Sequence, residues 1–324
     1  MRQAGRYQPE YRAIRAKASF LDLCKNPELA AEVTVTAVDR LGVDAAIIFA
    51  DILLILEPLG VGLEFTKDEG PVIRRPVRTA EAVSQIPERT DIEGSFGFVM
   101  EAIRRARREL DARTPRVPLI GFSGAPFTLA SYLVDGHGTR GYLHTKRLMY
   151  RDPAAWHALM VRLSDAIAGY LNAQIAAGAE AVQLFDSWVG CLSPDDYRLF
   201  AQPYTKRALA ALAPGVPVIH FGTGTAALLE LMRDAGGDVM GLDWRVDLGE
   251  AWDRLGHSVG IQGNLDPVVL LAEPAEIRRR AAGILERAGG RPGHIFNLGH
   301  GVLADTPFDH VRGLVETVHE LSTR

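Results

Sequence analysis

Seven short, nearly continuous apolar runs, each followed by a helical stretch, constrain this chain more than any other feature. They fall at 45–49 (AAIIF), 117–122 (VPLIGF), 181–185 (AVQLF), 216–221 (VPVIHF), 239–244 (VMGLDW), 258–262 (SVGIQ) and 294–298 (HIFNL). Runs of this kind suit parallel strands covered on both faces. The intervening helices share one start signal, a polar cap followed by proline at the first helical position. It occurs at Asn26-Pro27, Asp152-Pro153, Ser193-Pro194, Asp266-Pro267 and Thr306-Pro307, while Gly42 and Gly178 close helices.

Repeated strand–helix units without a Gly-, Ser- or Pro-rich linker predict one α/β domain over 1–324. An open dinucleotide-binding sheet would need GxGxxG directly after a strand. Gly222, Thr223 and Gly224 follow a strand, but Ala227 stands where the third glycine belongs, and there is no Walker A sequence. A (β/α)8 barrel of the TIM type fits better. The visible strands number one fewer than eight and the chain opens inside a motif, so the expected first strand is placed upstream of Met1.

Composition narrows the class of function. The 324 residues are 47% hydrophobic and 23% charged, with 36 basic side chains against 40 acidic. A formal charge of −4 argues against a protein that coats nucleic acid. Cys24 and Cys191 have neither a disulfide framework nor a paired zinc spacing. The start MRQAGRYQPEYR lacks the apolar core of a signal peptide, and the longest apolar stretch, 45–56, is too short to span a bilayer. The expectation is a cytoplasmic enzyme without a membrane anchor. Arg2, Arg6, Arg12 and Arg15 crowd the first fifteen residues, a local cluster that overall composition does not predict.

Barrel enzymes carry their chemistry where strands end. The ends here are Asp51, Ser123–Pro126 with Tyr132 beyond, Asp186-Ser187-Trp188, Gly222–Gly224, Asp243-Trp244-Arg245, Gln262–Asn264 and Gly299-His300-Gly301. No lysine ends a strand, which removes Schiff-base chemistry. No ligand-spaced His, Asp or Glu set points to a metal, and Ser123 misses the GxSxG elbow by one residue. One carboxylate, one histidine, a tyrosine, hydroxyls and N-terminal arginines remain. Such a set suits binding a polyanion and stabilising a cation with no cofactor.

The segments MRQAGRYQPEYR (1–12), IIFADIL (47–53), GFSGAPFTLASY (121–132), FDSWVGCLSP (185–194), GLDWRVD (241–247), QGNLDP (262–267) and NLGHGV (297–302) resemble, in order, those of the uroporphyrinogen decarboxylase family of haem biosynthesis. The resemblance implies a (β/α)8 barrel, a homodimer and cofactor-independent removal of four acetate carboxyls from uroporphyrinogen III, a tetrapyrrole, to give coproporphyrinogen III. Carried over by position, it places substrate binding on Arg2, Gln3, Ala4, Gly5, Arg6, Asp51, Tyr132, Ser187 and His300, with Asp51 the catalytic residue and no metal. Gln8 departs from the family's usual apolar residue. The proton donor stays open: Arg2 lies in the right loop but, with a pKa above ~12, is a poor acid, whereas His300 has an intrinsic pKa of ~6.5.

Each residue also has a structural use. Asp51 could cap a helix, Ser187 could start one, Tyr132 could pack at the core edge and His300 could sit in a turn. The motif match favours function for these four. His220 reads as a satisfied core histidine, and Arg104, Arg105, Arg107 and Arg108 as a solvated helix face. Two other readings compete. One is a methyltransferase of the same superfamily, serving a corrinoid or thiol carrier, although the usual His/Cys zinc set is lacking. The other is a catalytically inactive porphyrinogen-binding homologue.

Overall fold

All seven apolar runs form strands, and they hydrogen-bond side by side in parallel. A computed structural model describes residues 4–66, 70–138 and 141–322. The strands are β1 (Ala46–Ile47), β4 (Leu119–Gly124), β5 (Ala181–Asp186), β6 (Val218–Gly222), β7 (Val239–Gly241), β8 (Gly260–Leu265) and β9 (His294–Leu298). Their spatial order is β1-β4-β5-β6-β7-β8-β9, so each strand neighbours the next in the chain once an excursion after β1 is set aside. The result is a curled parallel sheet wrapped by helices, an architecture of the TIM-barrel type. Among the described residues, β1 and β9 form its two edges.

The excursion is an antiparallel hairpin, β2 (Leu63–Thr66) with β3 (Gly70–Ile73), which the apolar runs do not announce. Pro71 interrupts its second strand, and proline demotes a run in any pattern-based reading.

The start signals work as their chemistry dictates. Asn26 accepts from the backbone N–H groups of Glu28 and Leu29, Asp152 from Ala155 and Ser193 from Asp196. Asp266 caps only a short 3-10 turn, Pro267–Leu271. Thr306 is the exception. The last helix begins at Phe308, and the buried Thr306 hydroxyl finds no hydrogen-bond partner among the described residues. Gly42 and Gly178 close their helices at positive φ, 69° and 118°.

Two side-chain expectations need correction. Arg107 is buried, paired with Asp111 and Glu180, and donates to the Val117 carbonyl at 3.2 Å. It therefore belongs to the joint between helix Ile92–Asp111 and the sheet rather than to a solvated face. His220 is fully buried on β6, yet neither ring nitrogen makes a well-formed hydrogen bond among the described residues. Burial holds its pKa down to about 4, against a smaller opposing pull from the Met232 and Gly236 backbone. Gln8 is buried as well. Among the described residues, no helix is long and apolar enough to cross a membrane.

Candidate active site

Strand alternation sorts the lining on the inner strands, while on the edge strands β1 and β9 residues of both faces, Ile295 and Asn297 among them, reach the same space. Ile120 and Phe122 on β4, Gln183 and Phe185 on β5, Gln262 on β8, and His294 and Phe296 on β9 all line one cavity of about 1440 Å³. It opens at the C-terminal strand ends and extends down between β1 and β9. That volume includes the gap between the two edge strands, lined by Leu285, Leu314 and Val318 of the outer helices, as well as the space at the strand ends. Aromatic rings make much of the wall: Phe122 meets Phe185 edge-on at 5.6 Å, and Phe20 packs on Phe65 of the hairpin at 4.8 Å.

Asp51 stands on this wall, half-buried, just beyond β1. One oxygen, Oδ1, accepts the Leu53 N–H at 2.8 Å. The carboxylate thus closes a local turn and faces the cavity, but it does not cap a helix: the 3-10 helix Leu54–Leu59 begins from Leu53 with no side-chain cap bond. Its charge is felt nearby: burial raises the Cys24 thiol pKa first, and Asp51 adds to the rise.

The N-terminal arginines divide by direction. Arg6, in the 3-10 turn Ala4–Tyr7, lines the cavity, and so does Arg15 at the end of helix Pro9–Arg15. Arg12 points elsewhere, donating to the Ala304 carbonyl at 2.9 Å and to the Arg6 carbonyl at 3.2 Å, which fastens this helix to the loop after β9. Ala4 and Gly5 open the same 3-10 turn; Arg2 and Gln3 lie outside the described residues. Lys17 also reaches the cavity. Cations therefore surround the mouth of an otherwise acidic protein.

Tyr132, nearly two turns inside helix Pro126–Asp135, lines the cavity and stacks on Trp188 with ring centroids 3.8 Å apart. The structure thus brings Arg6, Asp51 and Tyr132 together in one space. Ser187 and His300 lie outside that lining. Ser187 is buried in the turn after β5, and its carbonyl accepts the Thr223 hydroxyl. His300 is exposed, edge-on to Trp244 at 5.9 Å. Gly299 permits this approach, since a Cβ there would fall 2.4 Å from the Trp244 nitrogen. Asp243, fully buried, anchors the Trp244 turn: it accepts from the backbone of Gly224 and Arg245 and from the Arg245 guanidinium. That guanidinium lies 4.0 Å over the Trp244 ring.

Of Gln183, Gln262, His294 and Lys17, sequence reasoning named only Gln262, as a strand end, and none of the others as a cavity group. A signal for the first three was present, because a polar residue inside a buried apolar run must face a polar space or a partner. Nε2 of Gln262 faces Oε1 of Gln183 at 3.5 Å, and His294 contacts the Gly263 carbonyl at 3.1 Å. Just behind the wall, burial pushes the Asp186 carboxyl up to about 7, with the Thr128 hydrogen bond pulling the other way. Among the described residues, no three His, Cys, Asp or Glu side chains cluster as metal ligands would.

A TIM-type barrel whose cavity sets Asp51 near the cations Arg6, Arg15 and Lys17, with a second lining carboxylate, Asp44, paired to His319, defines an enzyme class that takes an anionic small molecule. Within that class the chain belongs to the uroporphyrinogen decarboxylase family: the family model, described as uroporphyrinogen decarboxylase, matches residues 1–321. Relatives of that name from Sorangium cellulosum and Carboxydothermus hydrogenoformans are each 56% identical, over 99% and 100% of this chain and 91% of each relative. Among solved structures, a methyltransferase from Methanosarcina mazei superposes with a TM-score of 0.79 over 92% of this chain and 87% of its own, at 20% identity. At that identity the likeness shows the fold alone.

Proposed function

We propose that this chain is a carboxy-lyase that converts uroporphyrinogen III to coproporphyrinogen III, with Asp51 stabilising the cationic pyrrole formed on the way. The observation that carries the reading is the single cavity shared by Asp51, Arg6 and Tyr132. The substrate has eight carboxylates on its rim and four N–H donors at its centre. Arg6, together with Arg2 of the same motif, supplies bidentate charge for the rim, and Asp51 accepts the central N–H groups. The family resemblance adds Ser187 and His300, in the turns after β5 and β9 and outside that cavity lining, and Gln3, Ala4 and Gly5 in the arginine loop, as further substrate contacts.

Losing a pyrrole acetate starts with a proton added to the ring carbon, which leaves the pyrrole cationic. The C–C bond then breaks, its electron pair neutralises the ring and carbon dioxide departs. A proton at the exocyclic carbon and the return of the ring proton leave a methyl group, so each of four rounds consumes one proton net. The ring itself takes the electron pair, and the reaction requires no cofactor. An anion ~4 Å from the forming cation, at an effective dielectric of ~20, contributes ~4 kcal/mol, on the order of 10³ in rate. Exclusion of water by the aromatic wall and correct placement of one acetate supply more.

The test is Asp51→Asn under anaerobic conditions. Turnover should fall on the order of 10²–10³-fold while coproporphyrinogen still binds. Unchanged turnover would refute the role. Wild-type protein that binds porphyrinogen without releasing carbon dioxide would instead be an inactive homologue, and stoichiometric zinc in the purified protein would favour the methyltransferase reading. We further propose a cytoplasmic homodimer, the assembly the family resemblance implies; light scattering of the purified protein checks the mass.

A further inference from the structure

We propose that Thr128 and Asp186 are positioning residues, which pin the turn after β5 and, through Trp188, hold Tyr132 in place against the substrate. The proposal rests on the reading of Tyr132 and Ser187 as substrate contacts.

Asp186 ends β5 on the face opposite Gln183 and Phe185, so its side chain points away from the cavity and into the layer of helices. It is fully buried, and its Oδ1 accepts the Thr128 hydroxyl at 2.9 Å. Oδ2 is buried without a hydrogen-bond partner among the described residues. A threonine hydroxyl has one proton to give. Committing it to Asp186 turns the oxygen's lone pairs toward the Trp188 N–H, which donates to Thr128 Oγ1 at 3.2 Å. Thr128 thereby joins the turn after β5 to the first turn of helix Pro126–Asp135.

The same helix carries Tyr132 four residues further on, on the same face as Thr128. The Tyr132 ring lies on the Trp188 indole at 3.8 Å and 26° between planes, and Tyr142 closes on that indole edge-on at 5.5 Å. Trp188 is therefore held at both ends, its backbone by a hydroxyl and its ring by Tyr132. Ser187, between Asp186 and Trp188, takes its direction from the same pin. None of this requires Thr128 or Asp186 to touch the substrate.

The test compares Thr128→Val, Thr128→Ser and Asp186→Asn in the full-length protein. Valine keeps the shape and loses the hydroxyl; serine and asparagine keep the donor and the acceptor. Thr128→Val should lower kcat about tenfold with KM changed less than about threefold, because placement of the reacting group is lost rather than binding. Thr128→Ser and Asp186→Asn should stay within about threefold of wild type. The near-ultraviolet circular dichroism band of the stacked pair, assigned by difference with Trp188→Phe, should change in Thr128→Val only. Because Thr128 acts through Tyr132, adding Thr128→Val to Tyr132→Phe should slow the enzyme little beyond the slower single variant. Independent, multiplicative losses would overturn the proposal, as would wild-type kcat and an unchanged band in Thr128→Val. If wild type does not decarboxylate uroporphyrinogen, the functional reading fails, and the dichroism band alone decides the pin.

Discussion

Arg107 and Arg108 are neighbours in sequence and opposites in environment. Arg107 shares a helix face with Ile103 and Leu110, both fully buried, whereas Arg108 is exposed. The spacing of three and four that makes 103, 107 and 110 one face was legible in the sequence. Charge outweighed it in the reading. Asp111 and Glu180, which neutralise Arg107, each also face Arg116. Arg107→Ala strands the Val117 carbonyl and removes a packed stem, yet leaves Arg116 on both acids. The loss should be about 2–3 kcal/mol, below the ~3–5 of a broken fully buried pair. Arg108→Ala should change stability by less than ~0.5 kcal/mol. Urea unfolding of the two variants checks the contrast. At the same scale Asp51, Arg6 and Tyr132 were legible because each sits in a contiguous motif. Gln183 was passed over because a single polar residue does not stop a run from reading as a strand, whereas Gln262 was named because it ends one.

Elements were read best where an apolar run is bounded by glycine, proline or a capping side chain. The seven strands satisfy that rule; the hairpin does not, since Pro71 breaks its second strand and its two halves cannot alternate cleanly. The hairpin still matters to the site, because Phe65 is part of the cavity wall and packs on Phe20. Phe65→Ala takes apolar surface from the wall but no reacting group, so KM should rise about fivefold with kcat within about twofold; steady-state kinetics reads the split. Caps show the same lesson in miniature. Asn26 and Thr306 look alike in sequence, each polar and followed by proline, but only Asn26 accepts backbone N–H bonds. Asn26→Ala should cost about 1 kcal/mol, whereas Thr306→Val, which exchanges an unpartnered buried hydroxyl for a methyl, should be neutral or stabilising by about 1 kcal/mol. Thermal melting of the pair separates a made cap from an unmade one.

At the scale of the whole molecule, two buried groups on neighbouring strands set opposite pH slopes. Asp186 on β5 is pushed up from an ordinary 3.8 to about 7, and His220 on β6 is pushed down from 6.5 to about 4, both by burial. Between pH 4 and 7 the folded chain keeps an Asp186 proton that the unfolded chain has lost, so this group's contribution falls as pH rises, in total by on the order of 4 kcal/mol. Between pH 4 and 6.5 the unfolded chain holds a His220 proton that the folded chain refuses, so that contribution rises with pH, by on the order of 3 kcal/mol. The two nearly cancel, and wild-type stability should vary little with pH from these groups over 4–6.5. Asp186→Asn removes one slope and exposes the other. Subtracting wild-type from variant stability, measured by urea unfolding at matched pH, isolates Asp186 from every other titrating group. That difference should increase in the variant's favour from pH 4 to pH 7 and level off above it. A difference that stays constant with pH would mean that Asp186 is ionised throughout, and the carboxyl behind Thr128 would then be a buried anion rather than a neutral acid.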